Sequence, residues 1–314
     1  MQILVTGGAG FIGSNLCDHL LADGHSVVAL DNFDNYYDPV IKESNIQSAR
    51  KSPNYRIVRQ NIEDRDQVKD VFKANQFDLV IHLAARAGVR PSIERPTDYM
   101  TTNVLGTTNI LEAMSKYGPK KLIFASSSSV YGNCKSEVFT EDLKITEPIS
   151  PYAASKSACE QICYTFSHLY GINVVCLRFF TVYGPRQRPD LAIHKFVNRI
   201  ETDQPIEMYG DGSTMRDYTF VDDIVAGIYG AIAYDKTPYE IINLGGGEPI
   251  TLKRMIQTIE TALDKKANIR QLPMQPGDVI KTVCGWQKAH DLLGYAPKTN
   301  FEDGIRQFVS WKNK

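Results

Sequence analysis

The chain has 314 residues, 35 Lys and Arg against 36 Asp and Glu, a formal net charge of -1 and 43% hydrophobic residues. That length allows one large α/β unit or two smaller domains with core enough to fold without staples, and the even charge excludes a broad field that would draw nucleic acid or an anionic membrane. The six cysteines, at 17, 134, 159, 163, 176 and 284, form no CxxC pair and no Cys/His zinc spacing, so no metal is expected.

In chain order, apolar and β-branched runs at 3–5, 27–30, 56–58, 79–83, 122–125, 174–177 and 241–244 predict strands. Several are continuous rather than alternating, which suits a parallel sheet buried on both faces. Helix-like stretches fall between them at 11–22, 66–74, 103–117 and 152–170, giving the alternation of a doubly wound sheet. From about Thr181 the alternation loosens around Pro185, Pro189, Pro205 and Gly210–Gly212, where a smaller lobe is expected to begin. A helix at 222–233 and the strand at 241–244 predict a return to the sheet before the last segment, 251–312. The fold class is therefore α/β, a Rossmann-like doubly wound parallel sheet with a smaller, mixed C-terminal lobe. Expected boundaries are 1–180, rejoined by about 214–247, for the first unit, and 181–213 with 248–314 for the second. No segment reaches membrane-spanning length. Met1 leads straight into residues 3–5 without a basic leader, and a reducing cytoplasm is expected.

Gly7-Gly8-Ala9-Gly10-Phe11-Ile12-Gly13 follows the first strand and opens the first helix, with Gly7, Gly10 and Gly13 in GxxGxxG spacing. Glycines there turn the chain tightly and let backbone N–H groups approach a pyrophosphate at a helix N-terminus. Asp31 ends the second strand, eighteen positions after Gly13, where a carboxylate accepts hydrogen bonds from an adenosine ribose and repels a 2′-phosphate. Asn32 and Phe33 follow with no Arg, which favours NAD over NADP.

Tyr152 and Lys156 are four apart at the start of a predicted helix and share a face. An ammonium beside a phenol favours the phenolate and brings it toward physiological pH, making a general base. Ser126-Ser127-Ser128-Ser129 ends the strand 122–125, at a carboxyl edge of the sheet where ligands bind.

Taken together, GGAGFIG, Asp31, HLAA at 82–85, SSSSVYG at 126–132 and the Tyr152/Lys156 pair resemble the extended short-chain dehydrogenase/reductases, along essentially the whole chain. The resemblance implies that Ser127, 25 positions before Tyr152, shares its hydrogen-bonding task at the sugar hydroxyl. It implies that Leu83, Ala84, Ala85 and Asn103 line the cofactor beside Phe11 and Ile12. Asn61 and Ile62 fall at the adenine contact, where the family often has an acid at the first position. Related sugar dehydratases and decarboxylases carry an acid in the strand-end motif, whereas Ser128 and Ser129 stand there in this chain. Without a proton donor for elimination, reversible oxidation at a hydroxyl carbon is the simpler chemistry, and an epimerase is implied.

The implied cycle has Tyr152 taking the proton of a sugar 4-hydroxyl while C4 hydride passes to tightly bound NAD. The 4-keto sugar turns and hydride returns to its other face. Thr181, Lys195, Arg216 in MRDYTFVDD and Asp278 in QPGD fall where the family holds a UDP-sugar, Arg216 suiting the diphosphate. Arg188 in GPRQRPD, with AGVRPS at 87–92, resembles the uronic-acid epimerases, whose arginine reaches the sugar carboxylate. UDP-glucuronate to UDP-galacturonate is thus the expected reaction, with a UDP-glucose or UDP-N-acetylhexosamine 4-epimerase as the alternative. A dehydratase and a non-catalytic NAD-binding regulator are the more distant readings. Family members dimerise through the helix bearing Tyr152 and its neighbour, and Ala153, Ala154, Ala158, Ile162 and Phe166 are the candidate homodimer surface.

Overall fold

The computed structural model describes residues 1–274 and 281–313, so Asp278 lies outside the described residues. Its first six strands are β1 (Gln2–Thr6), β2 (Ser26–Leu30), β3 (Tyr55–Val58), β4 (Leu79–His82), β5 (Lys121–Ser127) and β6 (Asn173–Phe179). Then come β7 (Thr181–Tyr183), β8 (Ile206–Tyr209), β9 (Met215–Phe220), β10 (Tyr239–Leu244), β11 (Pro249–Thr251) and β12 (Ile269–Leu272).

Seven strands form one wholly parallel sheet in the order β10-β6-β5-β4-β1-β2-β3. Their continuous apolar sequence follows from coverage on both faces. Ile3, Val5, Val27, Ala29, Leu79 and Ile81 pack on one side with Phe11, Leu16 and Leu20 of the helix Phe11–Ala22 and with Ile224 and Ile228 of the helix Val221–Ala233. On the other side Leu4, Val28, Leu30 and Val80 meet Val68, Phe72, Ile110, Met114, Cys159 and Cys163. From β1 the chain winds outward to β2 and β3, then crosses back to β4 and continues the other way. The connections after β1 and β4 therefore lead to opposite sides of the sheet, and a crevice opens at the carboxyl ends of these two strands.

Beyond β6, β7 pairs in parallel with β9 and β11 antiparallel with β9, while β8 and β12 form a separate parallel pair. The helices Ala192–Glu201, Leu252–Leu263 and Phe301–Lys312 bury Ile193, Val197, Met255, Ile259, Ile305 and Phe308 in the same core that covers the first face of the large sheet.

Two expectations change. The helix expected over 103–117 is preceded and entered by a π-helical stretch, Met100–Leu105, before the α-helix Gly106–Tyr117. Here the Asn103 side chain bonds the Arg86 backbone and Ser155, and its carbonyl accepts from Cys159 Sγ at 3.2 Å, interactions that accompany a widened turn. Ala153 is fully buried and belongs to the interior, whereas Ala154, Ala158, Ile162 and Phe166 remain partly exposed.

Candidate active site

The crevice is a cavity of about 480 Å³ that runs from the glycine loop to Tyr152. Gly7 adopts φ +69°, and a Cβ on it would stand 2.9 Å from the Ala84 nitrogen, so the loops after β1 and β4 meet at backbone distance. A Cβ on Gly13 would stand 2.2 Å from the Gly7 oxygen. Gly10 caps the helix Phe11–Ala22 without a side-chain bond, and no acid occupies its first turn, which leaves helix N–H groups open toward an anion. This cradle fits a pyrophosphate.

At the far end, Asp31 accepts from Phe33 N at 2.9 Å and Ala9 N at 3.2 Å. Lys42, absent from the sequence-based site, places a buried ammonium 3.4 Å from the same carboxylate. A cation is therefore present at the ribose end, offset by Asp31. Asn32 lines the cavity but is exposed, and its Oδ1 accepts from Asp34 N at 3.0 Å. Asn61 and Ile62 also line it; Asn61 Oδ1 accepts from Glu63 N at 3.1 Å.

Leu83, Ala84 and Ala85 form the wall after β4. Asn103 does not line the cavity; it stands behind that wall and holds both the N–H and the C=O of Arg86, at 2.8 and 3.0 Å. Arg86 in turn pairs with Asp34 at 2.8 Å, and the Tyr36 hydroxyl donates to the Ala87 carbonyl at 3.1 Å. All four residues line the cavity, so the loops after β2 and β4 are bonded to each other in its wall. Sequence reading missed Asp34, Tyr36, Lys42 and Arg86.

The helix Pro151–Tyr170 starts sharply because the Ser150 hydroxyl accepts from Ala153 N at 3.1 Å and Pro151 fills the first position. Tyr152 is thus set in the first turn, where the helix dipole favours a phenolate. Burial pushes the phenol above its ordinary pKa, while the Ser127 hydroxyl bonded to it and the Arg188 guanidinium act downward. Lys156, one turn on along the helix, donates from Nζ to the Ala125 carbonyl at the end of β5, at 2.7 Å. Burial holds this ammonium below its ordinary pKa. Ser127 Oγ also accepts from Ser129 N at 3.2 Å, which turns the strand end inward.

Ser127, Ser128, Ser129, Tyr152, Lys156, Thr181 and Arg188 share the cavity. Arg188 donates from Nε and Nη2 to the two Asp190 carboxylate oxygens, at 3.0 and 2.9 Å, and lies 5.0 Å from the Tyr36 ring centroid. Burial works against its charge, and Asp190 with Tyr36 and Tyr37 outweighs burial, so its pKa stands above the ordinary value. Lys195 is exposed on the helix Ala192–Glu201 and does not line the cavity. Arg216 also lies outside the lining; on β9 its Nη1 donates to the Met215 carbonyl at 2.9 Å.

The chain matches the model of the NAD dependent epimerase/dehydratase family over residues 3–245. It is 41% identical over 312 residues to the UDP-glucuronate 4-epimerase of Thermodesulfobacterium geofontis, covering 99% of this chain and 96% of that protein. The crystal structure of a UDP-glucuronic acid 4-epimerase from Bacillus cereus, in complex with UDP-glucuronic acid and NAD, superposes with a TM-score of 0.93 at 37% identity, covering 100% and 99% of the two chains. A UDP-glucose 4-epimerase from Thermotoga maritima with UDP-glucose superposes at 0.91 with 32% identity, again covering 100% and 99%. With more than three quarters of its length under the family model and full-length relatives above 30% identity, the chain belongs to the NAD dependent epimerase/dehydratase family.

Proposed function

We propose that the protein is an NAD-dependent UDP-sugar 4-epimerase that interconverts UDP-glucuronate and UDP-galacturonate. The observation that carries this reading is one cavity holding Ser127, Tyr152 and Lys156 at the carboxyl edge of the sheet, next to Ser128 and Ser129 and beside Arg188. No acid stands at the serine positions to drive elimination. When bound, NAD supplies the acceptor that takes the C4 hydride and returns it to the other face of the 4-keto sugar, without net redox. Tyr152 removes and returns the 4-hydroxyl proton, and Ser127 orients that hydroxyl. Lys156, fixed on Ala125, keeps a cation behind the phenol. The glycine cradle and Asp31 hold the cofactor, and Arg188 faces the sugar carboxylate.

Residues 1–180 with about 214–247 form the cofactor unit in this reading, and 181–213 with 248–314 the sugar-nucleotide lobe, to which Thr181, Lys195 and Asp278 belong, with Arg216 of the returning segment joining them at the UDP-sugar. A homodimer in the cytoplasm completes it. Leu105, Tyr164 and Leu169, all exposed on or beside the helices Gly106–Tyr117 and Pro151–Tyr170, support the dimer. No helix among the described residues is long and apolar enough to cross a membrane.

The bidentate Arg188–Asp190 pair favours a second reading, a UDP-glucose or UDP-N-acetylhexosamine 4-epimerase, because the guanidinium fork already has a carboxylate. Incubation with UDP-glucuronate and, separately, UDP-glucose, followed by NMR without added reductant, decides between them. UDP-galacturonate supports the uronate reading; turnover of UDP-glucose alone overturns it and keeps the mechanism. A keto or pentose product overturns both.

A further inference from the structure

Tyr152 and Lys156 have a third companion one turn further along the same face, Glu160. Its carboxylate is fully buried and accepts from Nε and Nη2 of Arg178 on β6, at 2.9 and 2.8 Å; the pair is 0% and 2% exposed. Side-chain contacts of this pair reach the end of β5, the turn that follows it and β10. Ser126 Oγ, on the residue before Ser127, donates to Glu160 Oε1 at 2.5 Å. Arg178 Nη1 donates to the Tyr131 hydroxyl at 2.9 Å, and that hydroxyl donates to Asn243 Oδ1 on β10 at 2.7 Å.

Stability alone does not account for such a pair. Removing two ions from water costs about as much as their attraction returns, and apolar side chains of similar volume commonly do as well. What the pair supplies is a fixed distance between two elements. Ser127 rides on β5 and Tyr152 on the helix, and apart from the Lys156 bond to Ala125, the Glu160 bond to Ser126 ties that helix to the catalytic end of the strand.

We propose that Glu160 and Arg178 are positioning residues of the proton relay: their buried pair holds the helix Pro151–Tyr170 against the ends of β5 and β6, so that the Tyr152 phenol stays on the Ser127 hydroxyl. This rests on the epimerase reading. Ser127 acts downward on the phenol's pKa, as does Arg188, while burial and Cys159 act upward. Loosening the helix therefore weakens a downward influence. Glu160, with Cys159 and Cys163, acts upward on the Lys156 pKa against burial, so its loss also weakens the cation behind the phenol.

The test is kcat, KM and the pH profile of kcat for Glu160→Met with Arg178→Met, which removes both charges and leaves neither ion alone. Glu160→Asp is measured beside it; it keeps both charges and shortens the reach. The expected result is NAD retention and KM near wild type, with kcat lower by roughly a hundredfold in the paired variant, the usual consequence of misplacing a reacting group by about 1 Å. The acid limb of kcat moves to higher pH in both. A kcat within about threefold of wild type, or an unmoved acid limb in Glu160→Asp, overturns the proposal. Wild-type protein assayed in parallel separates this from the function itself: if it turns over neither UDP-glucuronate nor UDP-glucose, the epimerase reading fails rather than the positioning one.

Discussion

The Arg188 guanidinium is gripped by the Asp190 carboxylate on one side and lies over the Tyr36 ring on the other, and it faces the cavity already neutralised. A substrate carboxylate must therefore compete with Asp190, which is exposed and can be displaced. Arg188→Ala is expected to lower kcat/KM for UDP-glucuronate by about tenfold to a hundredfold, the worth of a charge-assisted bond. UDP-glucose should be affected far less. Asp190→Asn should raise uronate preference by freeing the fork. Competing the two substrates in one NMR tube reads the ratio directly, and an unchanged ratio in both variants removes Arg188 from sugar selection.

Gly13 carries a stricter demand than the other loop glycines, because a methyl group there would press on the Gly7 backbone oxygen at 2.2 Å. Gly13→Ala should cost about 2–3 kcal/mol through overpacking and deform the pyrophosphate cradle. Gly24, at φ +78° with no atom within 4 Å of the added Cβ, is the control. Alanine there should cost about 1 kcal/mol through backbone strain alone. NAD content after desalting separates them: Gly24→Ala keeps its cofactor and Gly13→Ala does not.

Gly7, Gly10, Gly13, Asp31, Tyr152 and Lys156 were legible in the sequence because each acts through a local pattern: a strand–turn–helix, a strand end, a helical spacing. Lys42, Asp34, Tyr36 and Arg86 were not, since they reach the cavity from loops whose approach only tertiary structure sets. Spacing put Lys156 on the Tyr152 face, while its bond to the Ala125 carbonyl is a tertiary contact that no local pattern announces. Asn103 was placed at the cofactor by the family resemblance, whereas its side-chain bonds to Arg86 and Ser155, which hold it behind the wall, have no local pattern.

The Arg86–Asp34 pair and the Tyr36–Ala87 bond join the loops after β2 and β4 in the cavity wall. Retention of cofactor through repeated cycles benefits from such a bonded wall. Arg86→Ala is expected to leave folding within about 1 kcal/mol, as for a partly exposed pair, yet to let NAD escape during gel filtration and make activity depend on added NAD. Equal NAD content in variant and wild type would count against that role.

His82 is sealed between Thr6 Oγ1, 2.6 Å from its Nδ1, and Thr107 Oγ1, 3.0 Å from its Nε2. Burial, with the Lys156 ammonium nearby, pushes its pKa down from about 6.5 to about 3. The unfolded chain takes a proton on this ring near pH 6.5, while the folded chain refuses it until far lower pH. Folding stability is therefore intact above pH 6.5 and falls as pH drops toward 3, by about 1.4 kcal/mol per pH unit from this residue. The protein has five other histidines, so the slope alone does not identify the group. Urea unfolding across that range for wild type and His82→Gln does: the variant loses hydrogen bonds at every pH and is less stable throughout, but its acid slope should be shallower by that amount. Parallel slopes would place the acid sensitivity elsewhere and leave the His82 bridge between β1, β4 and the helix Gly106–Tyr117 a neutral strut without a titration of its own.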